Sequence, residues 1–376
     1  MRLLAGQYPT GSADPEGFLR ELVRDARDGA GLAARRACRH DAVCLARRLA
    51  DPSRGTTPRS SPPTGRIALV GGHNMWTRDF LLNAPVHDLS MTLRGGAARS
   101  SHRFLDALWG FTCAGKSGTR AYGYRADGRD ADCVATIELP SLQPGPGRLR
   151  VATAARLATG VAPPFDDQGD IATQLMLGAA QHTIRLSQQD LGFSLAGIAE
   201  PIWPEAVLRA LADLLAKKHG DVFVVLSEPG AASPAGNAYS TGVTLDQVAR
   251  KLKAVVQHRT PMPDDAVDAL LCHKLHIAPL RFDDFDDGWP GGFAIGNHAK
   301  LWVVDDRAFY IGSHNLYRST LQEYGYIVES RPETAQLLRD YWDKLWRYSS
   351  RAAVSGDEAF RCLLRRPATG VAGPGD

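Results

Sequence analysis

The feature that most constrains the fold of this chain is a pair of short apolar runs separated by a turn. The first run, residues 301–304, reads Leu-Trp-Val-Val, and the second, residues 308–311, reads Ala-Phe-Tyr-Ile. The Asp-Asp-Arg sequence between them has the composition of a tight turn, so the two runs predict an antiparallel hairpin. Alternation along the first strand then places His298 and Lys300 on the same face.

Several side chains suited to phosphate chemistry lie in or beside this hairpin. The return strand brings Ser313 and Asn315 back towards His298 and Lys300. An imidazole acts as a nucleophile or as a general acid or base near neutral pH, and a lysine with neutral donors stabilises charge on a phosphoryl oxygen. The alternative is an ordinary hairpin whose His298 and Lys300 are solvated. The presence of Ser313, Asn315 and then Glu323 weakens that alternative.

The spacing of these residues resembles the HKD signature of the phospholipase D superfamily. The residues that carry the resemblance are His298, Lys300, Asp305, Gly312, Ser313 and Asn315, followed by Arg318, Ser319 and Glu323. Residues 324–328 and 341–346 also resemble the strand and the closing helix that follow the motif. The resemblance implies an α/β fold of two lobes related by pseudo-twofold symmetry, each a mixed sheet flanked by helices.

The resemblance also implies a mechanism that needs no metal or other cofactor. One histidine attacks phosphorus to give a phosphohistidine, and a second protonates the leaving alcohol and then activates water or an acceptor alcohol. The implied catalytic set is His298, Lys300, Asp305, Ser313, Asn315 and Glu323, with Asp305 more structural than catalytic. An acidic residue in each half holds the imidazole tautomer. By distance after the motif, Glu323 fits this role in the second half and Asp88 in the first; the alternative is that both are solvated.

An internal repeat indicates a first lobe. Residues 67–74, Ile-Ala-Leu-Val-Gly-Gly-His-Asn, repeat the pattern of residues 309–315. We therefore take Gly72, Asn74 and the later Asp88 as the remnant of a first motif.

The rest of the first motif is missing. Counting back by the spacing of the second motif places its histidine, lysine and aspartate where the chain has Thr57, Arg59 and Thr64. Thr57 has no group that titrates near neutral pH, although Arg59 keeps a positive charge. Residues 54–65 are also rich in proline and contain no apolar run, which is wrong for a core strand. We therefore expect the first lobe to be incomplete.

Three origins of this departure stay open. We rank first a frameshift within roughly residues 32–64, because residues 55–65, back-translated and read one frame over, can encode Trp-Asn-His-Ala-Lys-Ile-Ile-Ala-Ala-Asp-Gly. Because the third base of each codon is chosen freely in this back-translation, the result shows only that the genetic code allows the frameshift. The second origin is a naturally degenerate motif in a pseudoenzyme, and the third is a true proline-rich loop. The encoding DNA distinguishes them: codons that cannot spell His and Lys in the shifted frame exclude the frameshift.

Composition narrows the classes of function. A chain of 376 residues is long enough to bury two α/β lobes, and a net charge of +3 is too small to indicate nucleic-acid binding by itself. No apolar run is long enough to span a membrane, and the N-terminus lacks a signal-peptide core. We expect a cytoplasmic protein as the chain is written, and an exported or membrane-peripheral one if the N-terminus is truncated. The six cysteines lack zinc-site spacing, so we expect no metal site.

The chain order predicts a first lobe over residues 1–140, a second over 150–350 and a flexible tail over 351–376. In the second lobe, helices predicted at 171–183, 204–218 and 243–257 alternate with strands predicted at 184–190 and 221–226, which indicates a mixed or parallel sheet. Residues 227–242, long and rich in small residues, are interpreted as a substrate-side lid. Cys113 and Cys133 are either a disulfide pair or two free thiols.

From these observations we expect a phosphodiesterase or phosphatidyltransferase that works through a histidine-bound intermediate, with phospholipid as the favoured substrate. We expect its activity to be impaired because the first motif is not intact, unless a homodimer pairs two copies of His298. The alternatives are an inactive phosphate-binding pseudoenzyme and a nuclease of the same superfamily. Whether His298 is the nucleophile or the general acid stays open at this point.

Overall fold

The computed structural model describes most of the second half of the chain and shorter stretches of the first. The described residues are 67–73, 84–114, 147–157, 168–194, 199–232, 238–283, 288–289, 292–317 and 321–354. Among them, residues 67–68 and 94–114 belong to a smaller compact unit, and the others belong to a larger one. The smaller unit contains helix α1 (Ala98–Cys113).

Within the described residues, nine strands form two sheets. The first two strands, β1 (Ile67–Gly71) and β2 (Ser90–Arg94), pair with each other. The others are β3 (Arg150–Arg156), β4 (Thr183–Ser187), β5 (Asp221–Leu226), β6 (Leu275–Pro279), β7 (Leu301–Val304), β8 (Ala308–Gly312) and β9 (Glu323–Glu329). They form a seven-stranded sheet with the order β3-β9-β8-β7-β4-β5-β6. Strand β5 is parallel to β4 and β6, and every other neighbouring pair in this sheet is antiparallel.

Helices flank the larger sheet, which confirms the predicted α/β class. They are α2 (Gln168–Gly178), α3 (Glu205–Lys218), α4 (Leu245–Arg259), α5 (Asp264–Lys274), α6 (Arg331–Leu337) and α7 (Asp343–Ser349). A π-helical segment, Leu338–Trp342, joins α6 to α7, and a 3₁₀ turn (Ser350–Ala352) follows. Helix α2 ends at Gly178 rather than at the predicted residue 183, because Thr183 already pairs with Asp221 in the sheet.

The predicted hairpin is confirmed, with Leu301 opposite Ile311 in antiparallel register. Its turn contains Asp305 and Asp306, each with φ of 52°. Two consecutive positive φ values match the turn that best suits the twist of a hairpin, and aspartate tolerates this conformation better than most residues.

The hairpin alternates between two apolar layers. Trp302 and Tyr310 stack at 3.7 Å between ring centroids and pack in the layer that contains the inner faces of α3 and α4. Leu301 and Val303 point to the opposite layer, where Trp342 packs. Burial on both faces explains why the first run is wholly apolar.

The start of α4 is set by its own sequence. Thr244 accepts a hydrogen bond from the main-chain N–H of Gln247, and the Gln247 side chain accepts one from the N–H of Thr244. This capping box satisfies two donors that a helix start leaves free.

Some of the expectations fall partly outside the described residues. Cys113 and Cys272 are both disulfide-bonded, so Cys113 is not a free thiol, but Cys133, its candidate partner, is not described. The two lobes, their pseudo-twofold relation and the tail stay predictions for the same reason. In the described part of the chain, none of the helices has both the length and the hydropathy that a membrane crossing requires.

Candidate active site

The second-motif residues lie just before β7, where a segment from the first half of the chain runs alongside them. The main-chain N–H of His298 donates to the carbonyl oxygen of His87 at 2.7 Å, and the N–H of His87 donates to the carbonyl oxygen of Gly296 at 2.9 Å. These bonds form a short parallel bridge between His87 and Asn297. Because Asp88 follows His87 directly, the bridge brings its carboxylate to the imidazole of His298.

The imidazole of His298 is held by that carboxylate. Nδ1 of His298 lies 2.9 Å from Oδ2 of Asp88, whose side chain is fully buried. A carboxylate only accepts, so Nδ1 carries the proton and donates it to Asp88. The lone pair of the neutral ring is therefore on Nε2.

The electrostatics favour this neutral ring and an ionised carboxylate. Burial, assisted by the charge of Lys300, lowers the pKa of His298 to about 4, although the hydrogen bond and charge of Asp88 oppose the shift. Burial disfavours the charge on Asp88 itself, but the hydrogen bond from His298 and the charge of Lys300 outweigh it and lower the pKa of Asp88. At neutral pH the pair is an imidazole with an anionic acceptor.

Lys300 lies beside His298, in the segment that precedes β7. Its side chain is almost completely buried, and Nζ donates to the carbonyl oxygen of His298 at 2.6 Å. Burial lowers the pKa of Lys300 to about 7, against the opposing effect of Asp88 and Glu323. The charges of Asp88 and Glu323 thus favour the ammonium form of Lys300, and burial of the side chain opposes it.

Glu323 occupies a second buried cluster. Its Oε1 accepts from the side-chain Nδ2 of Asn315 at 2.8 Å and from the main-chain N–H of Asn315 at 3.1 Å. Arg156, which pairs with Glu323 across β3 and β9, donates to Oε2 and also to Asp170. Burial raises the pKa of Glu323 to about 7, although Arg156 and Asn315 oppose the rise.

The carboxylate that holds His298 is therefore Asp88, and the prediction of Glu323 for this role is wrong. Distance along the chain pairs each acidic residue with the histidine of its own half. In the structure, the bridge between His87 and Asn297 crosses from one half to the other, and no local pattern encodes that contact.

Asp305 and Ser313 have structural positions. The carboxylate of Asp305 accepts the main-chain N–H groups of Gln181, His182 and Thr183, which closes the start of β4. It lies in the turn after β7, at the opposite end of the strand from His298. The hydroxyl of Ser313 accepts from the N–H of Tyr324 at 2.9 Å, so it joins the ends of β8 and β9.

The first-half remnant is in contact with the second motif. A Cβ atom on Gly72 would lie 2.8 Å from Cδ of Lys300 and 2.9 Å from the carbonyl oxygen of His298. A glycine is therefore required for this close approach. The next residue, His73, has its Nδ1 2.7 Å from Oγ of Ser90. Several residues named from the sequence lie outside the described residues: Thr57, Arg59, Thr64, Asn74, Arg318 and Ser319.

The sequence did not single out Tyr239. This residue belongs to the predicted lid, is 2% exposed, and packs edge-on against His298 at 5.1 Å between ring centroids. Gly296 leaves room for it, because a Cβ there would lie 3.0 Å from Cβ of Tyr239. Tyr239 is the one aromatic residue in the segment 227–242, which is the signal that points to it.

A cleft of about 360 Å³ opens beside Asp88. Its lining residues are His73, Pro85, Val86, His87, Asp88, Phe282 and Trp289. Among the described residues, no group of three or more His, Cys, Asp or Glu side chains is arranged to hold a metal ion.

The chain has a similar relative among curated proteins. It is 30% identical over 332 residues to the phospholipase D of Streptomyces antibioticus, in an alignment that covers 77% of this chain and 58% of the relative. The chain thus spans less than two thirds of that relative's length. No protein-family model matches the chain.

Three solved structures are also similar. Nuc from Salmonella typhimurium, a phospholipase D family member, is 14% identical, with 53% of this chain and 95% of that chain covered and a TM-score of 0.32. Phosphatidylserine synthase from Haemophilus influenzae Rd KW20 is 12% identical, with 76% and 60% covered and a TM-score of 0.46. NucT from Helicobacter pylori is 12% identical, with 54% and 98% covered and a TM-score of 0.30.

Proposed function

We propose that this chain, which belongs to the phospholipase D superfamily, breaks phosphodiester bonds by way of a covalent intermediate on His298. The observation that carries the proposal is the pair formed by His298 and Asp88. Because Nδ1 is committed to the carboxylate, Nε2 has a free lone pair, and because the ring is neutral, that lone pair is available at neutral pH. These two facts favour His298 as the nucleophile rather than as the general acid.

The chemical steps follow from this assignment. Nε2 of His298 attacks phosphorus, a P–N bond forms, and the P–O bond to the leaving alcohol breaks. The ring becomes positively charged and Asp88 stabilises that charge, while Lys300 and the amide of Asn315 are the groups we assign to the phosphoryl oxygens. Attack by water or by an acceptor alcohol then forms a new P–O bond, breaks the P–N bond and restores neutral His298, and the hydroxyl proton of the attacking group passes to solvent.

Proton transfer is the weak point of the site. The leaving alcohol needs a proton. In the superfamily a second histidine donates it, but at the corresponding position this chain has Thr57. A positioned acid or base contributes about 10²- to 10⁴-fold in rate. We therefore propose an enzyme that forms the intermediate but turns over slowly on unactivated substrates, unless a homodimer supplies a second His298.

Phospholipid is the substrate class we favour, since the curated relative is named for that activity. A net charge of +3 gives little support to the nuclease alternative. The remaining alternative, a phosphate-binding pseudoenzyme, differs from the proposal in one respect: it forms no covalent intermediate.

Trapping the intermediate tests the proposal. Vesicles of phosphatidylcholine with ³²P in the phosphate are mixed with the protein and quenched under alkaline conditions, which preserve phosphohistidine. We expect label on the peptide that contains His298, loss of label in His298→Ala, and normal label in His258→Ala, an exposed helix residue that serves as the control. Label from an oligonucleotide instead of the lipid favours the nuclease, and binding without label from either substrate favours the pseudoenzyme.

A further inference from the structure

A chain of buried and half-buried polar groups lies behind His298 and is not used in the steps above. Nε2 of His87 lies 2.8 Å from Oη of Tyr341, and that oxygen lies 3.2 Å from Oγ of Ser187. Nδ2 of Asn297 donates to the same Oγ at 3.0 Å. These four side chains form what we call the Tyr341 relay.

The relay has a fixed direction. The amide Nδ2 of Asn297 only donates, so the Ser187 oxygen accepts from it. If the Ser187 hydroxyl then donates to Tyr341, and Tyr341 to Nε2 of His87, every hydroxyl hydrogen has an acceptor. In the opposite direction the Ser187 hydrogen has no acceptor among the described residues. Burial also lowers the pKa of His87 to about 4, so its ring is neutral, and in the Nδ1–H tautomer that this direction requires, Nε2 accepts from Tyr341.

Both ends of the relay are tied to the catalytic pair through the main chain. At one end, Asn297 directly precedes His298, and its main-chain N–H and carbonyl oxygen are both bonded to the Ser227 hydroxyl, at 2.8 and 2.9 Å. At the other end, His87 directly precedes Asp88 and accepts the N–H of His298. The relay therefore connects the residue before the nucleophile with the residue before its carboxylate.

Tyr341 reaches this position through an irregular turn of helix. It lies within the π-helical segment Leu338–Trp342, and π-helical turns are rare and frequent at functional sites. Both Tyr341 and the next residue, Trp342, face inward: Trp342 is 2% exposed, and the Tyr341 ring stacks on His87 with an interplanar angle of 13°.

We propose that Tyr341 is a positioning residue for the reaction. Its hydroxyl, through Ser187 and Asn297 on one side and His87 on the other, holds the carboxylate of Asp88 against Nδ1 of His298. Tyr341 touches neither the substrate nor the reacting atoms. This inference rests on the proposed function, in that His298 is taken as the nucleophile.

The first test removes one oxygen atom. Tyr341→Phe keeps the ring and its stacking on His87 but breaks the relay. We expect kcat to fall between about 10- and 100-fold, as displacement of reacting groups by up to 1 Å does, with KM unchanged. Tyr348→Phe, a half-buried tyrosine about two turns further along the chain, is the matched control and should keep the wild-type kcat. Equal kcat in the two variants overturns the proposal.

The second test asks whether the four groups act as a unit. Ser187 is fully buried, and Ser187→Ala breaks the relay from the other side of Tyr341. We expect the double variant Ser187→Ala with Tyr341→Phe to lose no more kcat than the less active of the two single variants, since the effects of substitutions within one network are not additive. Losses that multiply show two independent structural effects and refute the relay. Thermal unfolding of each variant reports whether the loss instead follows from a smaller folded fraction.

A third readout does not depend on activity. In protein labelled with ¹⁵N-histidine, the ring ¹⁵N shifts report which nitrogen carries the proton, and His298→Asn identifies the His298 signals. We expect a single Nδ1–H tautomer in the wild type and in Tyr348→Phe, and a mixture of tautomers in Tyr341→Phe. If the wild type forms no phosphohistidine but Tyr341→Phe still changes the tautomer, the proposed function fails and the positioning role stands. An unchanged tautomer in Tyr341→Phe refutes the positioning role whatever the activity.

Discussion

Asp88→Asn is the substitution that examines the proposed nucleophile most directly. The amide has nearly the same shape as the carboxylate but no charge, and it can donate as well as accept. When Nε2 bonds to phosphorus, the His298 ring becomes positive while Nδ1 stays 2.9 Å from the Asp88 oxygen. The charge is shared by both ring nitrogens, so the mean separation is roughly 4 Å, where an effective dielectric constant of about 20 gives an attraction of about 4 kcal/mol.

Loss of that attraction raises the barrier to formation of the intermediate. At 1.36 kcal/mol for each factor of ten, about 4 kcal/mol corresponds to roughly a 10³-fold slower step. The amide can also donate to Nδ1 of His298, which moves the ring proton to Nε2 and removes the attacking lone pair, so 10³ is a lower bound. Because Asp88 raises the pKa of His298, the substitution lowers that pKa further and leaves the ring neutral above pH 4.

Rapid-quench measurement of phosphohistidine in a single turnover is the appropriate assay, because it isolates the first step. Asp246→Asn is the matched control, because this half-exposed carboxylate lies away from the site and pairs with Arg250 one turn along α4. We expect the control to equal the wild type and Asp88→Asn to be at least about 10³-fold slower. A rate for Asp88→Asn within tenfold of the wild type, in folded protein, refutes the assignment of the pair.

Three further substitutions test the surroundings of the site. Because the pKa of Lys300 is lowered to about 7, kcat/KM should fall as the pH rises through about 7. Lys300→Arg keeps its charge and should move this fall in kcat/KM to higher pH. An unchanged pH profile in Lys300→Arg contradicts the role of the ammonium. Burial raises the pKa of Asp190 from 3.8 to about 7, so its contribution to stability is present below pH 3.8 and is lost as the pH rises to about 7. In urea unfolding, Asp190→Asn should therefore lose the decrease in the free energy of unfolding that the wild type shows between these pH values. An identical pH dependence in the two proteins would refute the pKa shift. Gly72→Ala should lower the free energy of unfolding by about 1 to 3 kcal/mol, because its methyl group overlaps Lys300, whereas Gly96→Ala, in open space, should change it little; equal effects contradict the close approach.

The sequence predicts the local parts of this site well. The hairpin of β7 and β8 follows from two apolar runs and an Asp-Asp turn, which are contacts between residues close in the chain. The same alternation predicts Lys300 on the face of His298, and in the structure Nζ of Lys300 donates to the carbonyl oxygen of His298. The inward face of α3 is equally local, since Leu208, Leu211 and Leu215 repeat with helical spacing and are all buried.

The contacts between distant segments could not be predicted in the same way. The bond between Asp88 and His298 joins residues 210 positions apart, and the bond between Arg156 and Glu323 joins residues 167 apart. Neither Asp88 nor Arg156 lies in a sequence pattern that identifies its partner, because such pairing depends on how strands and loops assemble. Tyr239 was missed for a related reason. A single aromatic residue in a long loop has no periodic spacing that would predict which way its side chain points.

The crossing of Asp88 to His298 changes what the missing first motif implies. The residue that holds the nucleophile comes from the first half of the chain, and it is in place although positions 57, 59 and 64 carry Thr57, Arg59 and Thr64. The defect should therefore fall on the proton given to the leaving alcohol and not on the attack by His298.

Leaving groups of different acidity separate these two steps. An ester of p-nitrophenol needs no proton to leave, whereas choline does. If only the acid is missing, the chain should cleave a p-nitrophenyl phosphodiester with a rapid burst and should cleave the choline ester about 10²- to 10⁴-fold more slowly, the range that a positioned acid supplies. Comparable bursts with both esters would show that another group donates the proton. Absence of a burst with either ester, in protein whose His298 is in the Nδ1–H tautomer, would instead place the defect in the attack itself, because proton transfer is not needed for the activated ester.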